Sequence, residues 1–276
     1  MNRRSIKLLQ NLRERLNFSK RQKFVAATLI LTFSLMATQF FSGGLRLDLL
    51  LLMATMAYVL SLVVLQPDVK GWEYLTLLTL PAFYTAAVFV FYFLLPTRWL
   101  TRLPIAFLYA LGMYAIFLTE NIYNVAAERN IQLLRAAHSV GFLLSILTTF
   151  FLVDTVLSLH LIYYLNVLLI GLIIFPLSIQ ALWTMELTEN ITGKTWWGSV
   201  CVTLVMSELV LVFSFWPIRV TIEALFLTTV FYCLVGMMQQ YLVERLFPKT
   251  TREYLLVFVL VFLLVLFTTK WGVGIQ

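Results

Sequence analysis

Charged residues are scarce in this sequence. Only 12% of the 276 residues are Asp, Glu, Lys or Arg, while 61% are hydrophobic, and the mean hydropathy is +0.92. Soluble domains average about 25% charged and about 45–50% apolar residues. The composition therefore excludes a soluble globular domain as the main part of the chain, and it indicates a protein that folds largely in lipid.

Cysteine and histidine are also rare, with two of each. Cys201 and Cys233 lie inside apolar runs, where a thiol behaves as a small hydrophobic group, so they predict neither a disulfide framework nor a zinc site. The sequence contains no H-E-x-x-H pair, no G-x-S-x-G motif and no phosphate-binding loop. These absences argue against hydrolysis; we expect no cofactor, favour a protein that is not an enzyme, and leave a metal site open.

Long apolar runs make up most of the remaining sequence. Several reach the roughly 20 residues that a helix needs to cross a hydrocarbon core of about 30 Å, and none alternates as membrane barrel strands do. The sequence predicts an all-α polytopic membrane protein, a bundle of about nine transmembrane helices. The predicted spans are residues 24–42, 46–66, 74–95, 103–121, 136–158, 160–183, 196–216, 218–240 and 253–270.

Lysine and arginine are unevenly distributed between the two ends of these spans. Residues 1–23 hold eight of the 20 basic residues and form a basic amphipathic arm, which we expect to lie on an anionic membrane surface. With the N-terminus in the cytoplasm, 15 basic residues fall on the cytoplasmic side and five outside. Because cytoplasmic loops retain positive charge, we predict a cytoplasmic N-terminus, an outer C-terminus and a single transmembrane domain over residues 24–276.

The net charge of +7 lies mostly in the arm and the short loops. No motif of a nucleic-acid-binding fold accompanies it, so we expect membrane lipids, and no nucleic acid, as partners. A protein partner or a second copy of the chain is left open. The compact chain, without large soluble loops, favours a multi-pass protein of the cell membrane, by default a bacterial plasma membrane.

The pentapeptide LTENI occurs twice, at residues 118–122 and 187–191. Both copies are predicted to end spans at the cytoplasmic boundary. Glu120 and Asn124 are four residues apart, so they share one face of a helix. Their carboxylate and amide oxygens suit a divalent cation, but the same residue types also cap helices at headgroup level.

The segment after the first copy also resembles a known enzyme motif. Asn121, Asn124, Glu128 and Arg129 are spaced like the first acidic motif of the UbiA-type prenyltransferases, which are nine-helix proteins with cytoplasmic acidic motifs. Two of the three expected aspartates are asparagines here, the segment follows the fourth span instead of the second, and the Asp-rich second motif is absent. The resemblance implies the alternative function, a membrane-embedded, divalent-metal-dependent enzyme acting on a lipid-linked phosphate.

One carboxylate lies well inside an apolar span. Glu208, in VMSELVLVF, would cost at least roughly 2.5–3.5 kcal/mol as a charge at the bilayer centre. We expect it to face a polar cavity and bind a proton or a cation, or to be protonated and hydrogen-bonded to a neighbour. Asp154 and His160 flank a tight turn on the outer side, where they could pair at the mouth of a pathway or simply meet interfacial water.

These features favour a transporter of a small solute or ion, or a subunit of a membrane assembly, with an intramembrane carboxylate. The candidate binding residues are polar groups inside the spans or at their ends: Glu208, Glu120, Asn121, Asn124, Glu128, Glu189, Asp154 and His160.

Overall fold

The computed structural model describes residues 19–38, 46–65, 72–94, 99–125, 131–188 and 190–269. Within these ranges the chain forms nine α-helices and no strands, which confirms the all-α prediction. The helices are α1 (Lys20–Ala37), α2 (Arg46–Leu65), α3 (Glu73–Leu94), α4 (Trp99–Val125), α5 (Ile131–Ser158), α6 (Tyr163–Glu186), α7 (Gly193–Phe213), α8 (Val220–Leu242) and α9 (Pro248–Thr268).

Eight helices of this described part, α2 to α9, are long and apolar enough to span a membrane. The chain is therefore a polytopic membrane protein, as predicted. α1 has 18 residues, and three of its first four are basic. Its start is fixed by a capping box, in which Ser19 and Gln22 exchange hydrogen bonds between side chain and backbone. Thus α1 begins inside the predicted basic arm, whose residues 1–18 lie outside the described residues.

Two helices extend beyond the predicted spans into polar sequence. α4 continues to Val125 instead of ending at 121, and α5 begins at Ile131 instead of 136. The polar side chains in these extensions bond to neighbouring helices. Tyr123 donates its hydroxyl to the Ala137 carbonyl at 2.8 Å. The loss of apolar residues after position 121 therefore marks a polar contact between helices and not a helix end.

α5 lies at the centre of the bundle, in contact with α3, α4, α6 and α8. α1 and α2 pack on the side of α3 and α4, while α7 and α9 pack on the side of α6 and α8. In α3, 61% of an 18-residue apolar stretch is buried, whereas in α9 the buried share of such a stretch is only 6%. α9 therefore presents most of its circumference to its surroundings, and the bundle interior is built around α5.

Candidate functional site

Glu120 lies in the bundle interior and is 0% exposed. α4 directs its carboxylate toward α6, where Gln180 Nε2 donates a hydrogen bond to Glu120 Oε1 at 3.3 Å. Glu120 Oε2 is also buried, and among the described residues no group donates to it. An ionised carboxylate buried with a single neutral partner costs several kcal/mol, so a proton or a cation at this oxygen would stabilise the site.

Gln180 connects the carboxylate to a third helix. Its Oε1 accepts a hydrogen bond from the Ser145 hydroxyl of α5 at 3.4 Å. Both Gln180 and Ser145 are 1% exposed. The single proton of this hydroxyl is also within reach of the Gly141 carbonyl at 3.0 Å, which is the shorter of the two contacts. The amide NH₂ group faces Glu120, because Nε2 donates to that carboxylate. The network Glu120–Gln180–Ser145 therefore joins α4, α6 and α5 through buried polar groups.

The last turn of α6 supplies further polar contacts beside this network. His138 Nε2 lies 2.8 Å from the Thr184 carbonyl, so this ring nitrogen donates. Gln239 Nε2 of α8 donates to the Ala181 carbonyl at 2.8 Å. Thr184 lies in the last turn, where a carbonyl has no partner within the helix and a side chain from another helix can satisfy it. Ala181 lies one turn earlier, and its carbonyl also accepts the Thr184 hydroxyl at 2.9 Å. The end of α6 is thereby fixed to both α5 and α8.

Tyr123 belongs to α4, one turn after Glu120, and its side chain packs against α5. Its ring stacks on His138, with centroids 5.5 Å apart and an interplanar angle of 24°. A Cβ atom at Gly141 would lie 2.6 Å from the Tyr123 hydroxyl oxygen. The close approach of α4 and α5 at this level therefore requires a glycine at position 141.

The described residues of the second LTENI copy lie outside the helices, whereas the first copy is part of α4. Leu187 takes a left-handed conformation, with φ 48° and ψ 39°, and ends α6. The indole N–H of Trp183 donates to the Thr188 carbonyl at 2.9 Å and holds the turn against the helix. The described residues of the two copies therefore adopt different backbone structures.

The carboxylate next to this turn has a structural role. Glu186 Oε2 accepts hydrogen bonds from the hydroxyls of Thr192 at 2.6 Å and Thr195 at 2.8 Å. The Thr192 hydroxyl in turn accepts the Thr195 backbone N–H at 3.2 Å and caps α7. Glu186 thus connects the end of α6 to the start of α7.

The chain matches a known protein family over most of its length. The matching family model covers residues 49–268, from α2 to the end of α9, and is described as a protein of unknown function, DUF5656. The chain belongs to the DUF5656 family. Neither the curated proteins nor the solved structures gave a match. Every side chain of the Glu120 network lies within the DUF5656 region.

Of the other candidate residues predicted at the cytoplasmic boundary, Asn121 and Asn124 are described by the structure, and Asn124 does not share a site with Glu120. Asn121 is half-buried beside it in α4. Asn124 Nδ2 turns to α2 and donates to the Leu65 carbonyl at 3.3 Å. Glu128 and Glu189 lie outside the described residues. In the part of this DUF5656 chain that is described, no group of three or more His, Cys, Asp or Glu residues could hold a metal ion.

Glu208 lies on the outer surface of the DUF5656 bundle, on an exposed face of α7. The residue before it, Ser207, faces α6, because its hydroxyl would be 3.2 Å from a Cβ at Gly171. Glu208 is five residues from the end of α7 at Phe213, which is about 8 Å along the axis. Within the part of the chain that the structure describes, Glu208 is exposed and not enclosed in a polar cavity, and its role stays a prediction.

The two predicted residues at the outer turn have separate contacts. His160 is exposed at φ 49°, and its Nδ1 lies 2.8 Å from the Ser158 carbonyl. Asp154 is half-buried in α5, with a buried Oδ1 that lacks a partner in the described region. The hydrogen bonds of the described residues do not join the two side chains, so a shared outer site stays a prediction.

Gln180 is the site residue that the sequence reasoning missed. It lies in the apolar stretch FPLSIQALW, where an uncharged amide attracts less attention than an ionisable group. A buried amide in a membrane helix needs a partner as a carboxylate does, and this requirement is the signal that could have identified it.

Proposed function

We propose that this DUF5656 protein is a transporter of the cell membrane in which Glu120 takes up and releases a proton or a small cation. The observation that carries the proposal is the unpartnered Oε2 of a carboxylate that is 0% exposed. A purely structural carboxylate at this depth would be expected to have both oxygens satisfied, because each unmet buried group lowers stability.

The position of Glu120 suits a group that exchanges its ligand with the predicted cytoplasmic side. It is five residues from the end of α4 at Val125, which is about 8 Å along the helix. The side chains of Tyr123 and His138 lie around this end of the bundle. In the structure the carboxylate is closed off, so exchange requires a movement that opens the contact between α4 and α6.

Gln180 links the occupancy of Glu120 to helix packing. An ionised carboxylate only accepts hydrogen bonds, whereas a protonated one also donates. The bond between Glu120 and Gln180 therefore differs in strength between the two states, and so does the free energy of packing α4 against α6. A ligand that binds the two packings with different affinity shifts the population between them, which is the minimum requirement for a carrier.

A flux measurement tests this function. Purified protein in liposomes that contain a pH-sensitive dye is exposed to an imposed membrane potential, with Na⁺ or K⁺ as the available cations. In the wild type we expect proton flux, which the dye reports, or cation flux. The flux should fall at least about tenfold in Glu120→Gln and be normal in Glu208→Gln. Equal flux in the wild type and Glu120→Gln, at matched incorporation, would rule out Glu120 as the transporting group.

The exposure of Glu208 favours a second candidate function, an integral subunit of a membrane assembly. A carboxylate on the outer face of an apolar helix is costly in lipid unless another polar group covers it. A second copy of the chain packed on α7 would provide such cover and place Glu208 within an interface.

A further inference from the structure

A cavity of about 690 Å³ lies between α5, α8 and α9. One wall is a single face of α5, which includes Arg135, His138 and Phe142. The opposite wall includes Gln239 and Tyr254. The predicted cytoplasmic end includes the polar or basic Arg135, Gln240 and Arg245 beside the apolar Leu134 and Val243, whereas aromatic and aliphatic side chains line the part deeper in the bundle. We call this cavity the α5/α8 groove.

The length of the α5/α8 groove matches one leaflet of a bilayer. Arg135 and Ile146, at the two ends of its α5 wall, are eleven residues apart, or about 16 Å along the helix. Half of a hydrocarbon core is about 15 Å. Leu143, on the same wall, is 63% exposed, so the groove opens sideways to the surroundings of the bundle. An amphipathic molecule lying in the membrane can therefore enter it.

Aromatic rings in contact form the middle of the groove, one pair stacked and the other tilted at 55°. Phe142 and Tyr232 have centroids 5.7 Å apart, and Tyr232 and Tyr254 are 5.2 Å apart. A Cβ at Gly236 would be 2.7 Å from the Tyr254 ring, so this glycine lets α9 approach α8 closely. Aromatic rings with polar edges are favoured at the boundary between headgroups and acyl chains.

The mouth of the groove is basic. Arg135 and Arg245 both line it and are exposed. The backbone N–H of Arg245 donates to the Gln240 carbonyl at 2.8 Å, which fixes the start of this side chain at the end of α8. Glu253 lies near Tyr232 and Tyr254 and opposes part of this charge. Among the described residues that line the groove, the charged ones are Arg135 and Arg245, so the site favours an anion.

We propose that the α5/α8 groove binds one anionic glycerophospholipid of the cytoplasmic leaflet. The phosphate lies between Arg135 and Arg245, where guanidinium groups form charge-assisted hydrogen bonds with phosphate oxygens. Gln239 lies at the level of the glycerol, and an acyl chain runs past Phe142 to Ile146. The inference does not depend on transport through Glu120, since none of its test variants changes the Glu120 network.

Native mass spectrometry of the full chain in detergent tests the proposal. Phosphatidylglycerol and phosphatidylcholine with identical acyl chains are titrated separately, and the fraction of protein with one bound lipid is measured. Near an anionic surface each basic residue changes affinity by about fivefold. We expect phosphatidylglycerol to bind more tightly, and Arg135→Gln with Arg245→Gln to weaken it by about 25-fold. The control is Arg252→Gln, an exposed arginine of the same boundary that does not line the groove.

A second pair of variants tests the acyl chain. Ile146→Trp fills the apolar end, whereas Leu147→Trp changes the next residue, which lies outside the groove. We expect the first to lower lipid binding at least about fivefold and the second to leave it unchanged. Equal loss in Arg252→Gln would indicate general surface charge and overturn the proposal. It would also be overturned if Ile146→Trp had no effect, or if glycerol phosphate alone displaced all the bound lipid.

Discussion

Glu120 and Gln180 are 60 residues apart in the chain, yet their side chains form a 3.3 Å hydrogen bond in the bundle interior. The bond joins α4 to α6 at the end of the bundle where both helices finish. Only Oε1 of the carboxylate is satisfied, and Oε2 has no donor among the described residues. In the proposed function, Oε2 is therefore the atom that binds the proton or the cation.

Removing Gln180 is expected to destabilise the fold unless Glu120 is removed with it. Gln180→Leu leaves a buried carboxylate without a donor, which costs about 1–3 kcal/mol. Replacing both partners with apolar groups is close to neutral, so the double variant Glu120→Leu and Gln180→Leu should recover most of the loss. Thermal unfolding in detergent measures both effects. Additive losses in the double variant would show that the two side chains do not interact.

Gly141 and Gly193 allow the same substitution to be compared at a crowded position and at an open one. Gly141→Ala places a methyl group 2.6 Å from the Tyr123 hydroxyl, so we expect a loss of about 1–3 kcal/mol in stability. Gly193→Ala meets nothing within 4 Å and should change stability by less than about 0.5 kcal/mol. Adding Tyr123→Phe to Gly141→Ala should restore part of the loss. If both alanine variants unfold at the same temperature, the predicted contact is absent.

The start of α7, which follows the second LTENI copy, depends on its N-cap residue Thr192. Thr192→Ala removes the side chain that accepts the Thr195 N–H and bonds to Glu186, and we expect a loss of about 1 kcal/mol. Thr251→Ala is the control, because Thr251 bonds only within its own helical turn at the start of α9. Urea or heat unfolding compares them. A Thr192 variant as stable as the Thr251 variant would contradict the capping role.

Substitution of Glu208 tests whether a second copy of the chain covers the exposed face of α7. If it does, Glu208→Leu should lower the dimer fraction measured by light scattering in mild detergent. The control, Leu204→Ala, changes an exposed residue one turn earlier and should have a smaller effect. A protein that is monomeric before and after both changes would leave the assembly function without support.

Much of the helical architecture follows from the sequence, because a backbone in lipid must satisfy its own hydrogen bonds and few structures do so. The predicted span 74–95 corresponds to α3 at Glu73–Leu94. The inner end of α4 was harder, since Glu120 and Asn124 have the composition of a helix end. Their partners, Gln180 and the Leu65 carbonyl, are distant in sequence, and no local pattern indicates them.

The candidate site was predicted in part for the same reason. Glu120 stood out because it lies in the repeated LTENI pentapeptide, where carboxylate and amide oxygens on one helix face suit a cation. Its full burial distinguishes it from Glu208, which lies in an equally apolar run but faces outward. Which face of a helix points inward depends on packing with other helices. In a membrane protein both faces are apolar, so the hydrophobic pattern that indicates the inner face of a soluble helix is weak.

The infrared spectrum of the carboxyl groups tests whether Glu120 binds a proton or a cation. The spectrum of the purified protein is recorded across a pH series, with and without Na⁺ or K⁺, and compared with that of Glu120→Gln. We expect a protonated-carboxyl band in the wild type that is lost in Glu120→Gln and that changes with pH or with added cation. A band that is the same in both proteins, or that stays constant under every condition, would contradict proton or cation binding at Glu120.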